Sequence, residues 1–200
     1  MTRQRMAGAL IALAAALAAC GGSTLPAYDY AKEPDPRKTE YVIGVGDRLI
    51  ITVWRNADLA TEATVRPDGT VTMPLVGDLK TVGRTPSSIR DEITKKLAVY
   101  ISDKSAVVTV AVAEVNSYRF TVSGEVVQPG VFASAGYVTV ADAVAMAGGF
   151  TRYAKKDEMF IMRSSGGAPR KIPIDYKAVA SGTRPDANLA VISGDIIVVP

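Results

Sequence analysis

Apolar residues fall on alternate positions at Leu49, Ile51 and Val53, in a run of largely β-branched types that ends at Trp54. That period of two predicts a strand with one buried face. The next stretch, ATVRPDGTVTMPLVG (63–77), predicts a hairpin. Val65, Val71 and Met73 alternate with polar neighbours around Pro67-Asp68-Gly69, where Pro sets φ and Gly accepts a positive value. At Thr85-Pro86 the period changes. Thr caps a helix, Pro fits its first turn, and Ile89, Ile93, Leu97 and Tyr100 recur on one face. Arg90, Asp91, Lys95 and Lys96 fill the opposite, solvated face. AVVTVAVAEV (106–115) returns to a strand buried on at least one side. Strand, hairpin, helix and strand make one α+β unit.

A second unit starts near Tyr118. YRFTVSGEVVQPGVF (118–132) predicts strand, turn and strand, with the turn at Gln128-Pro129-Gly130. TVADAVAMAGG (139–149) predicts a short helix capped by Thr139, with Asp142 three residues on, and ended by Gly148-Gly149. EMFIMR and RKIPID flank SSGGAP as a further hairpin, and a last strand, Ile196 to Val199, follows Gly194-Asp195. The fold class is α+β, in two small β-rich domains at 41–116 and 117–200. Each domain holds a Gly-Asp pair ahead of an apolar strand, Gly46-Asp47 and Gly194-Asp195. Gly permits the backbone angle of a turn, and the Asp carboxylate is expected to accept from N–H groups two residues on. This is turn chemistry, not catalysis.

Composition narrows the chemistry. The chain has 200 residues, 48% of them apolar, enough for one or two cores. It has no His, which removes the Ser-His-Asp triad, the usual general base and most zinc sites. No catalytic group, metal or cofactor is expected. Met146, Met159 and Met162 are assigned to the core. Arg119, Lys155 and Lys156 are assigned to an ordinary exposed face, with a channel for an acidic polymer as the alternative. Trp54 and Tyr100 are assigned to packing in the core or between subunits, with stacking on sugar rings as the alternative.

The first residues read as a leader. Arg3 and Arg5 precede an apolar run from Met6 to Ala19. As a helix that run would span roughly 21 Å, short of the ~30 Å hydrocarbon core, which suits a signal peptide at 1–19. Without Arg3 and Arg5 the charge is nearly balanced, so no nucleic-acid partner is expected. Leu17-Ala18-Ala19-Cys20 followed by Gly21-Gly22-Ser23 resembles the lipobox of bacterial lipoproteins. The resemblance implies lipid on Cys20 and, with Gly rather than Asp at position 21, an outer-membrane address. Cys20 is the only Cys, so no intramolecular disulfide forms. Residues 20–40 hold three Pro and no apolar period, and predict a flexible lipidated tether, with order from Tyr41. Tyr28 and Tyr30 fall in that tether.

YVIGVGDRLIITVW (41–54) is similar at first to the LysM wall-binding module. LysM enters a helix after its Gly-Asp, whereas Ile50-Ile51-Thr52-Val53 is a poor helix start. A longer resemblance covers nearly all of 41–199. YVIGVGDRLIITVW, VRPDGTVTMPLVGDLKTVGRT, LAVYI and AVVTVAVAEV resemble the export domain of the bacterial outer-membrane polysaccharide export family (Wza-type lipoproteins). VSGEVVQPGVF, TVADAVAMAGGFT and GDIIVVP resemble an SLBB domain, a soluble-ligand-binding β-grasp. The resemblance implies a lipid-anchored protein of the outer membrane, facing the periplasm. It implies a homo-oligomeric ring around a channel for capsular or extracellular polysaccharide, with an inner-membrane co-polymerase docked below and no reaction catalysed. Larger members carry more SLBB domains and a C-terminal membrane helix. Here the sequence stops at Pro200, and the expectation is a periplasmic ring that relies on a separate outer-membrane β-barrel. The first alternative is a monomeric periplasmic lipoprotein that binds saccharide or cell wall. The second is a DNA-uptake receptor, but no helix-hairpin-helix segment or basic face is visible.

Overall fold

In the computed structural model, β1 (Arg48–Val53) buries Leu49, Ile51 and Val53 and turns the alternate residues outward, as its period requires. The structure describes residues 28–101, 107–164 and 167–200, so the leader and Cys20 lie outside the described residues. β1 sits between β2 (Thr61–Thr64) and β5 (Val108–Glu114), antiparallel to both. Over its inner face lie α1 (Pro86–Leu97) and a two-stranded ribbon of β3 (Thr70–Met73) and β4 (Gly77–Lys80). Ile89, Ile93 and Leu97 of the helix close on Leu49, Ile51, Met73 and Leu79 to form the first core. Thr85 caps α1 by accepting from Ser88 N, and Pro86 occupies its first turn.

Two expectations in this domain need correction. Pro67-Asp68-Gly69 does form a tight turn, with Gly69 at φ +78°, but the strands on either side of it join different sheets. β2 spends its ladder on β1, so β3 pairs with β4 across Pro74-Leu75-Val76 instead. Tyr100 does not continue the helical stripe. α1 ends at Leu97, the amides of Tyr100 and Ile101 both bond back to Leu97 O, and the Tyr100 side chain is exposed.

The second domain is a five-stranded mixed sheet in the order β7 (Gly130–Ala133), β6 (Arg119–Gly124), β10 (Ile196–Val199), β8 (Met159–Arg163), β9 (Arg170–Ile174). β10 runs parallel to β6 and antiparallel to β8. α2 (Val140–Met146) begins with a reciprocal capping box between Thr139 and Asp142 and is followed by Gly148 and Gly149, both at positive φ. Val140, Ala143 and Val144 from α2 pack on Phe120, Val122, Ile161, Ile172 and Ile197. A short helix, α3 (Tyr176–Ala180), was not anticipated.

Here too the structure corrects the sequence reading. Gly130 is not a turn glycine; it opens β7, and Pro129 closes a loop that starts at Gly124. Gly124 is the position that needs Gly, at φ +89° with room for a Cβ only 1.9 Å from Val199 O. Met159 is core, but Met162 lies out of phase with Ile161 on the other sheet face, and Met146 is about one-third exposed, at 37%.

The tether prediction fails from Tyr28 onward. Residues 28–38 fold as two single 3₁₀ turns, Tyr30–Lys32 and Pro36–Lys38, each capped by an Asp. Tyr30 joins the second core and donates its hydroxyl to Pro173 O at 2.7 Å. Glu33 is buried as well. Two aromatic rings, Tyr28 and Tyr30, and one paired carboxylate, Glu33, dock a segment that has no period.

Candidate functional site

Gly46-Asp47 lies at the joint between the domains. Gly46 takes φ +89° and turns the chain into β1. The Asp47 carboxylate is fully buried and accepts from five groups. Gly44 N donates at 2.9 Å and the Tyr41 hydroxyl at 2.7 Å. Asn116 N and Ser117 N donate at 2.9 and 2.8 Å, and the Ser117 hydroxyl at 3.0 Å. Asp47 therefore fixes both strands of chain that connect the domains. Burial pushes its carboxyl up, but the donated hydrogen bonds outweigh this and hold it below the usual carboxylate range. Burial raises the Tyr41 hydroxyl. Gly44 is needed for close approach, since a Cβ there would meet Ser117 Cβ at 2.3 Å.

Gly194-Asp195 builds something different. Asp195 accepts from Ile192 N at 2.9 Å and takes Arg163 bidentately, Nε at 3.0 Å and Nη2 at 2.6 Å. Arg163 has no exposed surface; it also donates to Ala190 O and to Glu33 Oε2, at 3.0 and 3.1 Å. Arg170 closes the other side of Glu33. Burial alone would raise Glu33, yet bonds from Tyr28 and Arg170 and the charge of Arg163 hold it low. The cluster pins the segment before the first domain onto the second. In both pairs the Asp reaches three residues back, to Gly44 and Ile192, rather than two residues on.

Two surfaces of the first domain are open. Trp54 N bonds to Val107 O, so along β5 the residues Val107, Thr109 and Ala111 face β1 with their backbone groups. Val108, Val110 and Val112 thus direct N–H and C=O outward, along an edge that no described strand pairs. Residues 108–113 carry no charge and no Pro. The other edges of the two larger sheets are guarded: β9 has Pro173 and two basic residues, β2 and β7 have only four residues each. The second surface is a cleft of about 790 Å³ at the end of the outer sheet face, lined by Thr52, Trp54, Arg55, Ala57, Ala60 and Thr109, among others. Trp54 is 64% exposed and belongs to neither core.

The remaining predicted positions are dispersed. Asp68 accepts from Thr70 N and Thr70 Oγ in its own turn. Arg119 stands at the joint end of β6, whereas Lys155 bonds through its amide to Pro200 O at the far end of the sheet. All three basic residues, Arg119, Lys155 and Lys156, are exposed. Among the described residues no group of His, Cys, Asp or Glu is arranged to hold a metal, and no helix is long and apolar enough to cross a membrane. Arg163, Glu33 and Ser117 were not foreseen. The one available signal was Arg163 itself, a charge on the inward phase of Met159 and Ile161.

Comparison with known proteins finds two domain families in succession along the chain. The family described as "Polysaccharide biosynthesis/export protein" matches residues 35–113, and the SLBB domain matches 119–173. The chain is 35% identical over 155 residues to the "Exopolysaccharide production protein ExoF" of Rhizobium meliloti (strain 1021), covering 71% of this chain and 33% of that protein. It is 32% identical over 117 residues to the "EPS I polysaccharide export outer membrane protein EpsA" of Ralstonia solanacearum, covering 47% and 30%. The EpsA of Ralstonia nicotianae is 28% identical over 185 residues, covering 80% and 47%. The chain thus spans between about a third and a half of the length of these relatives.

Proposed function

We propose that this chain, which belongs to the polysaccharide biosynthesis/export family, serves the export of an extracellular polysaccharide at a bacterial outer membrane. The observation that carries the proposal is the succession of an export domain and an SLBB domain, matched in order along one chain. In its full form the proposal has copies anchored by lipid on Cys20, facing the periplasm and assembled into a ring that encloses the path of the polymer. No reaction is catalysed. An inner-membrane co-polymerase docks below, and a separate outer-membrane β-barrel completes the exit. The edge of β5 supports self-association, because an uncharged row of donors and acceptors that no described strand pairs is complementary to another strand.

The test is to extract the acylated full-length protein in detergent and image it, with light scattering across a concentration series. Closed rings are expected, together with loss of polymer secretion in a strain lacking the gene. Cys20→Ala abolishes incorporation of labelled palmitate. Solitary subunits at every concentration, with secretion intact in the deletion strain, overturn the proposal in favour of a lone saccharide-binding lipoprotein.

A further inference from the structure

The Trp54 cleft is built, and neither core nor joint uses it. Trp54 N bonds to Val107 O at 2.9 Å, Asn56 N to Val53 O at 3.0 Å, and Asn56 Nδ2 to Trp54 O at 3.0 Å. These bonds lock a turn in which Arg55 holds φ +62°, a left-handed backbone that a non-glycine residue adopts at a cost. The turn presents a large aromatic ring to solvent from a backbone held by hydrogen bonds. Around the ring the lining mixes apolar and hydroxylated groups: Val107, exposed and opposite Trp54 across the strands, and Val53 on one hand, Thr52 and Thr109 on the other. Thr52 and Thr109 are cross-strand partners whose side chains both face outward, and Ala57 and Ala60 leave the space open. Arg55 also lines the cleft and is the one basic residue there among the described residues.

We infer that this cleft is a subsite for an acidic saccharide. The C–H face of a pyranose stacks on the Trp54 ring, Thr52 and Thr109 offer hydroxyls to sugar hydroxyls, and Arg55 takes a carboxylate of a uronate or similar acidic substituent. At about 790 Å³ the cleft lies within the range of small-ligand sites and is roomier than one sugar ring needs. The inference rests on the polysaccharide reading above and adds to it the sugar chemistry recognised and the residues that recognise it.

Trp54 is the only Trp in the chain, so its fluorescence reports on this cleft alone. The full-length protein is titrated with an oligogalacturonate and with a neutral malto-oligosaccharide of equal length. A saturable blue shift is expected for both, at lower concentration for the uronate. Trp54→Ala, followed by calorimetry because the reporter is gone, weakens uronate binding about tenfold or more. Arg55→Gln removes the preference for uronate over neutral sugar and keeps the neutral titration. Thermal melting of each variant checks the fold. An absence of any sugar-dependent shift overturns the inference, as does a Trp54→Ala protein that binds undiminished. So does an emission that shifts with protein concentration and ignores sugar, which would place Trp54 between copies. Light scattering on the same samples separates the two readings. Rings without sugar binding here remove this subsite and leave the conduit, and lone subunits that bind sugar here do the reverse.

Discussion

The two Gly-Asp turns share a dipeptide, a glycine φ near +90° and a buried carboxylate, yet they solve different problems. Asp47 is satisfied by neutral donors, three amides and two hydroxyls, gathered from both strands of the joint. Asp195 is satisfied chiefly by a cation, Arg163, which it shares with Glu33. The first turn can be broken without stranding a charge, because hydroxyls and amides are only dipoles. The second cannot, because removing Arg163 leaves Asp195 an uncompensated ion in a dry site. The same local sequence therefore carries unequal energetic risk, and the difference lies in residues far away along the chain.

The largest expected effect follows from that asymmetry. Arg163→Ala leaves Glu33 and Asp195 buried without their common partner and is expected to cost about 3–5 kcal/mol. Urea unfolding should show the loss. Limited proteolysis should show earlier cleavage within 28–38, since Glu33 loses its buried partner and is held there by Arg170 and Tyr28 alone. Arg163→Met with Glu33→Gln and Asp195→Asn removes all three charges and should recover part of the loss. If the single variant is as stable as the parent, the cluster is not a structural tie.

Asp47→Ala comes next, at roughly 3 kcal/mol, because it deprives five donors of one ionised acceptor. Hydrogen exchange at Gly44, Asn116 and Ser117 should rise first, ahead of the strands on either side. The comparison sharpens with pH. The Asp47 and Glu33 carboxyls are both held below their ordinary values. Each therefore contributes stability that is complete above the unfolded pKa, about 4, and that drains away as pH falls through the lower folded value. Stability measured from pH 7 downward should hold until about pH 5 and then decline. Asp47→Asn should flatten the decline of the first domain, and Glu33→Gln that of the second.

What the chain discloses in advance follows the range of the interactions. The alternation of Leu49, Ile51 and Val53 and the Thr139/Asp142 box are local, and both are found as read. The pairing of β3 with β4 was missed because turn chemistry at Pro67-Asp68-Gly69 specifies a bend and says nothing of which strand takes which ladder. The phase of Met162 is legible, since Ile161 beside it must face the core and so turns Met162 to the other face of the sheet. The site is harder still. Asp47 announces a turn, while its partners Asn116 and Ser117 lie about seventy positions onward and have no pattern of their own. Tyr30 and Glu33 are isolated residues in a Pro-rich stretch, so no period betrays that they are docked.

The smallest effect tests what the two turns have in common. Gly46→Ala and Gly194→Ala each force an L side chain into a left-handed backbone, at φ +89° and +88°. Space is not the issue at either site. An added Cβ would meet only Asn116 Cβ at 3.8 Å at position 46 and nothing within 4 Å at position 194. The cost is then backbone strain alone, about 1–2 kcal/mol, and it should be nearly equal for the two variants. Denaturation midpoints compared side by side give the answer. Equal losses mean that glycine does one job in both turns and that the contrast between them belongs wholly to the carboxylates. A Gly194→Ala loss approaching that of Arg163→Ala would mean the backbone turn and the ion cluster form as one unit, so that strain in the turn pulls Asp195 off Arg163.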